Sequence, residues 1–320
     1  MDMDNRWRWL RAVVIFAVAV IVCWQRSAAM EVNVYEAHAL AVMGHASLED
    51  REILEEIASG RGTGIHYLQA EGDVAPAAGE EKVIGVSLSK DRGLLGVFAG
   101  GEQQQPLLLA WLNTLPLQEI RIVELEKDHN AILIRELLDE RFGAYFLSSF
   151  YSLYNWQDGA LQEIWRKVCV NEQQWNRRWL FKGEGWQGIS EELEADFGSK
   201  DGRLVIRTIC QQTHWSAPAA AAARTTIQSR TLTQTYRWEP EWQAMAMAEG
   251  TLSKAAYLKE RQGNKYVNSL QLAAGELVAV LEDEGLQAWI NPQEAAYWRV
   301  KTKSGQTGYI LKDCLEIRSL

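Results

Sequence analysis

The chain has 320 residues, 47% of them apolar and 23% charged, and a formal net charge of −9 at neutral pH. That length accommodates two or three domains with real cores, and the composition is that of a folded chain. The acidic balance, opposed by no Lys/Arg run, excludes non-specific nucleic-acid binding, because phosphates would be repelled.

Arg6, Arg8 and Arg11 precede an apolar run over residues 12–24, and Ser27, Ala28 and Ala29 follow where a signal peptidase would cut. This is the layout of a secretory signal. The run is shorter than the roughly 20 residues that a spanning helix needs. Trp7, Trp9 and Trp24 at its flanks would extend an uncleaved span at the interfaces. Residues 1–29 are therefore expected to be a signal peptide or a membrane anchor. In either case the arginines keep the N-terminus inside and send the remainder out, so the expected location is extracytoplasmic, secreted or anchored. Cys23 follows the bulky Val22, which does not fit a lipid-attachment site.

Beyond the signal only Cys169, Cys210 and Cys314 remain, an odd number with no framework spacing. Cys169 falls in an expected strand over residues 163–170 and Cys210 in another over 204–210. A bridge between them is one expectation; buried free thiols are the plainer one.

Residues 30–81 form an expected helical and loop region. Ser47 and Asp50 resemble a capping box, Ile53, Leu54 and Ile57 share one helical face, and Gly60 stands at the stop, so a helix is expected over 48–59. Residues 69–82, rich in Ala, Gly and Glu and carrying a Pro, read as a surface loop.

From residue 82 to about 250 the pattern becomes strand-like and repeats. Apolar strands at 83–88 and 94–97 flank Lys90-Asp91-Arg92-Gly93. Strands at 120–125 and 131–134 flank Lys127-Asp128-His129-Asn130. A weaker third copy spans 189–197 and 204–206 around Lys200-Asp201-Gly202-Arg203. Each is a hairpin pattern. Aromatic hairpins follow: 150–156 turns through Gln157-Asp158-Gly159 into 161–165, and 235–238 turns through Glu239-Pro240-Glu241 into Trp242. Residues 217–224, with Pro218 and five alanines, read as a loop. The units resemble the integrin-propeller (FG-GAP-like) repeats of secreted bacterial proteins, which implies a partial propeller or, with so few copies, a sandwich. Those repeats often carry a multi-carboxylate calcium loop. Here one carboxylate recurs, at Asp91, Asp128 and Asp201, so no metal is expected.

The last segment, 251–320, begins with an expected strand at 256–259 and a polar loop over 260–268. Residues 270–281 carry two strands divided at Gly275. Residues 297–302 alternate as a strand, 304–307 turn, and 308–310 return. Gly275 leading a valine strand to Leu281, Trp298 to Lys301, and Ser304-Gly305 leading to Gly308-Tyr309-Ile310 together resemble the bacterial Src-homology-3-type domain, over residues 255–315. The resemblance implies a small β-barrel that binds cell-wall peptide, glycan or a protein partner through an aromatic groove. Tyr257, Trp289, Tyr297 and Tyr309 are the groove candidates, with Trp298 expected in the core.

Other chemistry is sparse. Glu124, Glu126 and Asp128 alternate onto one strand face, which suits a solvated surface better than a cation or acid–base site. The five histidines show no metal spacing, and no phosphate-binding Gly loop leads from a strand into a helix. No catalytic residue, metal or cofactor is therefore expected. Trp156, Trp165, Trp175, Trp179, Trp186, Trp238 and Trp242 suit packing between sheets better than sugar stacking. The fold class expected is mainly β, and the function a non-catalytic, exported binding protein of the cell envelope. The alternatives are a wall-processing enzyme or its accessory subunit, with the middle domain catalytic, and a membrane-tethered structural or assembly factor.

Overall fold

A computed structural model describes residues 50–52, 54–55, 66–77, 79–99, 107–142, 144–180, 183–263, 265–284 and 297–319. The expected signal or anchor at 1–29 and the groove candidate Trp289 lie outside them. Residues 50–52 and 54–55 are helical, within the span expected for the short helix. Among the described residues no helix is long and apolar enough to cross a membrane. Nearly everything else is antiparallel strand, arranged in three sheets.

The first sheet is a meander of β1 (His66–Gly72), β2 (Glu81–Ser87), β3 (Gly93–Phe98) and β4 (Leu108–Thr114), hydrogen-bonded in chain order. The loop expected over 69–82 is therefore shorter: Gln69 to Gly72 complete β1, and Glu81 begins β2. Composition misleads here because an acidic residue does internal work. The fully buried Glu81 carboxylate accepts hydrogen bonds from the Val74 and Ala75 amides, at 2.8 and 3.1 Å, and ties the turn to the strand.

The second sheet is built from β5 (Leu117–Glu126), β6 (His129–Phe142), β7 (Ala144–Gln157), β8 (Ala160–Asn176), β9 (Trp186–Lys200), β10 (Arg203–Ala217), β11 (Thr225–Glu239) and β12 (Ala244–Ala246). Its order is β12-β11-β10-β5-β6-β7-β8-β9, and β9 pairs with β10 along its whole length. Strands β5 to β10 thus close into a six-stranded barrel. The β5–β10 seam consists of the single pair Arg203 and Glu126, and β11 and β12 extend the outer edge. The expected hairpins are present, but the second and third copies share one continuous sheet and do not stand apart as propeller blades. The reason lies in strand length. Strands of 14 to 17 residues, such as β6 to β8, reach far past a single blade, and closure satisfies the edges that a blade would leave open.

The barrel strands face two cores. Along β6, Ala131 and Leu133 enter the barrel with Leu153, Trp165, Leu204, Ile206, Tyr236 and Trp238. Ile132 and Ile134 point the other way and pack with Val83, Leu95 and Val97 of the first sheet. An unbroken apolar run is what a strand buried on both faces requires, since its side chains alternate. Each such buried side chain contributes about 1.5–3 kcal/mol.

The turns explain the recurring aspartate. Asp128 and Asp201 adopt φ of +59° and +54°, and Asp158 does so at +51°, with Gly159 and Gly202 following at positive φ. Asp and Gly together supply the left-handed pair that a tight hairpin demands. At Asp128 and Asp201 the carboxylate recurs for backbone reasons, whereas Asp91 has no positive φ and instead accepts a hydrogen bond from Ser89 Oγ at 2.6 Å. Asp128 therefore leaves the strand, and the acidic row ends at Glu126, whose carboxylate lies 3.4 Å from His129 Nδ1.

The third sheet has the order β15-β14-β18-β17-β16-β13-β19: β13 (Ala248–Leu252), β14 (Ala256–Gln262), β15 (Lys265–Leu272), β16 (Leu277–Glu284), β17 (Tyr297–Thr302), β18 (Thr307–Leu311) and β19 (Leu315–Ser319). It begins at Ala248, three residues before the expected boundary. All seven strands send side chains into one cluster, among them Leu252, Leu258, Leu272, Val280, Val300, Ile310 and Leu315, so the sheet is strongly curled. The polar loop expected over 260–268 is a hairpin, with Glu260 opposite Val267 and Gly263 turning at φ +61°.

Candidate functional site

The outer face of the curled sheet follows from period-two alternation. Leu258 is a core residue, so its neighbours Tyr257 and Lys259 point outward on β14. Lys259 is paired with Tyr309 on β18, which carries that tyrosine to the same face. On β17, Trp298 and Val300 serve the core, leaving Tyr297 and Arg299 outward. Trp298 thus packs where the sequence placed it, with Lys312 Nζ 4.3 Å from its ring centroid.

Three tyrosines meet on this face. Tyr266 of β15 stacks on Tyr297 with centroids 4.1 Å apart and ring planes at 29°. It meets Tyr309 edge-on at 5.1 Å. Lys259 Nζ lies 5.7 Å from the Tyr297 centroid, within cation–π range. Tyr297 is only 8% exposed because Tyr266 covers it, so it forms the floor of the cluster. Tyr257 is 47% exposed. The sequence reading missed Tyr266, because it placed that residue in a loop; a bulge at residue 269 breaks the alternation between Tyr266 and the core residue Leu270, so the local pattern gives no signal.

The same face runs on toward the barrel. Ala279 packs on Trp242, Ala244 and Ala246, Lys301 Nζ donates to the Gln243 carbonyl at 3.0 Å, and Lys167 of β8 forms an ion pair with Glu282 of β16. Beside these contacts lies a cavity of about 450 Å³, walled by β7 to β11 on one side and by Arg261, Glu282 and Arg299 on the other. The β10 face that carries Leu204 and Ile206 into the barrel core carries Cys210 and Gln212 into this cavity.

Its polar wall is ordered by a hydrogen-bond chain. Arg230 Nε donates to Gln212 Oε1 at 2.6 Å, and Gln212 donates in turn to Glu191. Glu191 also accepts from Asn171 Nδ2 at 2.7 Å, and Asn171 accepts from Ser148 at 3.0 Å. Burial, followed by the nearby Glu191 charge, pushes the Cys210 thiol up to about 11. Burial alone would lower the Lys167 amine, but the facing Glu282 and Tyr236 outweigh it, and the net shift is upward.

Elsewhere the described candidates resolve into packing. Cys169, Cys210 and Cys314 are buried free thiols, so the alternative bridge is not formed. Trp165, Trp238 and Trp242 are buried, and Trp156 packs on the core shared with the first sheet. Trp179 is 55% exposed and meets Trp186 edge-on at 5.3 Å. His129 Nε2 lies 2.9 Å from Asn155 Oδ1, and its ring meets Trp238 edge-on. Among the described residues no group of three His, Cys, Asp or Glu is placed to hold a metal.

Comparison with protein-family models, with curated proteins and with solved structures finds no match to this chain.

Proposed function

We propose that the chain is an exported, non-catalytic binding protein of the cell envelope. On this reading the C-terminal sheet is a Src-homology-3-like barrel that targets cell-wall peptide or glycan, or an envelope protein. The supporting observation is the tyrosine face: Tyr266 and Tyr309 around the floor residue Tyr297, with Lys259 beside them and the exposed Tyr257 farther along β14. Such a face offers apolar rings for stacking and phenol and ammonium groups for polar recognition, which suits a ligand that is apolar on one side and hydrogen-bonding on the other. The export signal expected at 1–29 supplies the compartment. Co-sedimentation of the full-length chain with isolated bacterial cell walls tests the reading. Saturable binding is expected; a chain that stays in the supernatant with walls of every type contradicts wall targeting.

A further inference from the structure

We infer that the cavity between the barrel and the C-terminal sheet is a separate binding site for a small organic anion, one with a carboxylate or phosphate headgroup and a short apolar body. Its volume of about 450 Å³ falls within the range of small-molecule sites, roughly 300–1,000 Å³. Its lining charge is opposite to that of the protein. Arg166, Lys167, Arg230, Arg261 and Arg299 face it against two carboxylates, Glu191 and Glu282; Arg166 is paired with the buried Glu136 at 3.0 Å, and the other four cations against the two carboxylates leave a net of +2 in a chain of net −9. A positive cleft with partly apolar walls concentrates field lines and draws anions from solution.

Both carboxylates are already engaged. Lys167 holds Glu282, and Asn171 and Gln212 hold Glu191. Arg299 stands farther off, 4.0 Å from Glu282. Arg261 Nε donates to the Gly263 carbonyl at 3.2 Å, a bond that neutralises no charge. The two guanidiniums belong to β14 and β17, the strands on either side of β18 in one sheet, and planar guanidiniums pair with carboxylate or phosphate oxygens in a two-pronged geometry. The barrel side supplies the complement for an apolar body: Phe150, Val168, Leu193 and Leu232. Arg166 lies 4.6 Å from the Phe150 ring centroid, which holds that wall in place.

Isothermal titration of the full-length chain with octanoate, hexyl phosphate, inorganic phosphate and octyl glucoside tests the assignment. Octanoate or hexyl phosphate is expected to bind at one site and to weaken as salt rises. Inorganic phosphate and the neutral glucoside should bind at least about tenfold more weakly, the first lacking the apolar body and the second the charge. Arg261→Gln combined with Arg299→Gln should lower affinity by about tenfold or more, and Leu232→Glu should abolish binding. The exposed Arg318→Gln should change nothing. Circular dichroism and urea midpoints check that each variant is folded. No heat with either amphiphilic anion, equal binding of octyl glucoside, or affinity unchanged in the folded double variant and in Leu232→Glu would each overturn the assignment. Tight inorganic phosphate binding without a gain from the alkyl chain would overturn the apolar part and with it the stated ligand class.

Discussion

Lys167 on β8 and Glu282 on β16 form an ion pair whose side chains are only 11% and 24% exposed, and it ties the barrel to the C-terminal sheet. The two residues are 115 positions apart in sequence. A pair held this far from water is costly to break one partner at a time, because the survivor loses its nearest opposite charge, Glu282 then keeping only Arg299 at 4.0 Å. Lys167→Met is expected to lower unfolding stability by about 3 kcal/mol. The double variant Lys167→Met/Glu282→Leu should recover much of that loss, since neither charge then remains buried. Urea unfolding of the two variants against the parent measures the difference.

Alkaline pH should destabilise the fold. Burial raises the Cys210 thiol from 9.0 to about 11 and the Tyr154 phenol from 10.0 to about 12, the latter aided by Glu136 and Glu163. In each case the folded state keeps its proton at a pH where the unfolded chain has released its own. The unfolded state therefore binds fewer protons, and stability falls as pH rises through that window. Lys167, raised in the fold, acts in the same direction above its ordinary value of 10.5. Thermal midpoints should be flat from neutrality to pH 9 and drop from 9 to 12, and Tyr154→Phe should flatten part of that drop.

Gly188 is needed for close approach. A Cβ there would collide with the Trp215 ring and with the Gln173 carbonyl oxygen, and Trp215 is itself fixed by an Nε1 hydrogen bond to Ser190 at 3.1 Å. Gly188→Ala should cost about 1–3 kcal/mol or more through overpacking. Gly198, on the same strand, has open space at the equivalent atom. Gly198→Ala should be neutral or mildly stabilising, because Gly loses more freedom on folding than Ala.

The thiols offer a chemical check. Cys169, Cys210 and Cys314 are buried, at 3, 9 and 6% exposure, and a protonated buried thiol is inert. Ellman's reagent at pH 8 should find none of these three in the folded chain and all three after unfolding without reductant. A count lower by two after unfolding would point instead to a bridge.

Much of the strand pattern was legible in the sequence because alternation and turn chemistry are local. Val83 to Val97 with its Lys-Asp turn, Phe150 to Trp165 across Asp158-Gly159, and Trp298 to Ile310 across Gly305 each carry their own evidence in a few residues. The barrel was not legible, because its closure depends on which edges meet, and Arg203 and Glu126 are paired by tertiary geometry alone. Glu81 was misread for a similar reason: a buried carboxylate that binds two amides looks, in sequence, like any loop acid. Tyr257, Tyr297 and Tyr309 are groove candidates through the resemblance of residues 255–315 to a Src-homology-3-type domain. Tyr266, the residue that unites Tyr297 and Tyr309, was hidden in a polar stretch whose hairpin register only the structure supplies. The cavity is wholly tertiary, since its walls come from strands as distant as β7 and β17.

The most direct test of the envelope-binding account is the affinity of the full-length chain for isolated bacterial cell walls, compared with that of Tyr266→Ala and Tyr309→Ala variants shown to be folded. The account predicts that the parent binds and that each variant loses about 1–3 kcal/mol of binding, some five- to hundredfold in affinity. Equal wall affinity in the parent and both variants would contradict recognition through the tyrosine face.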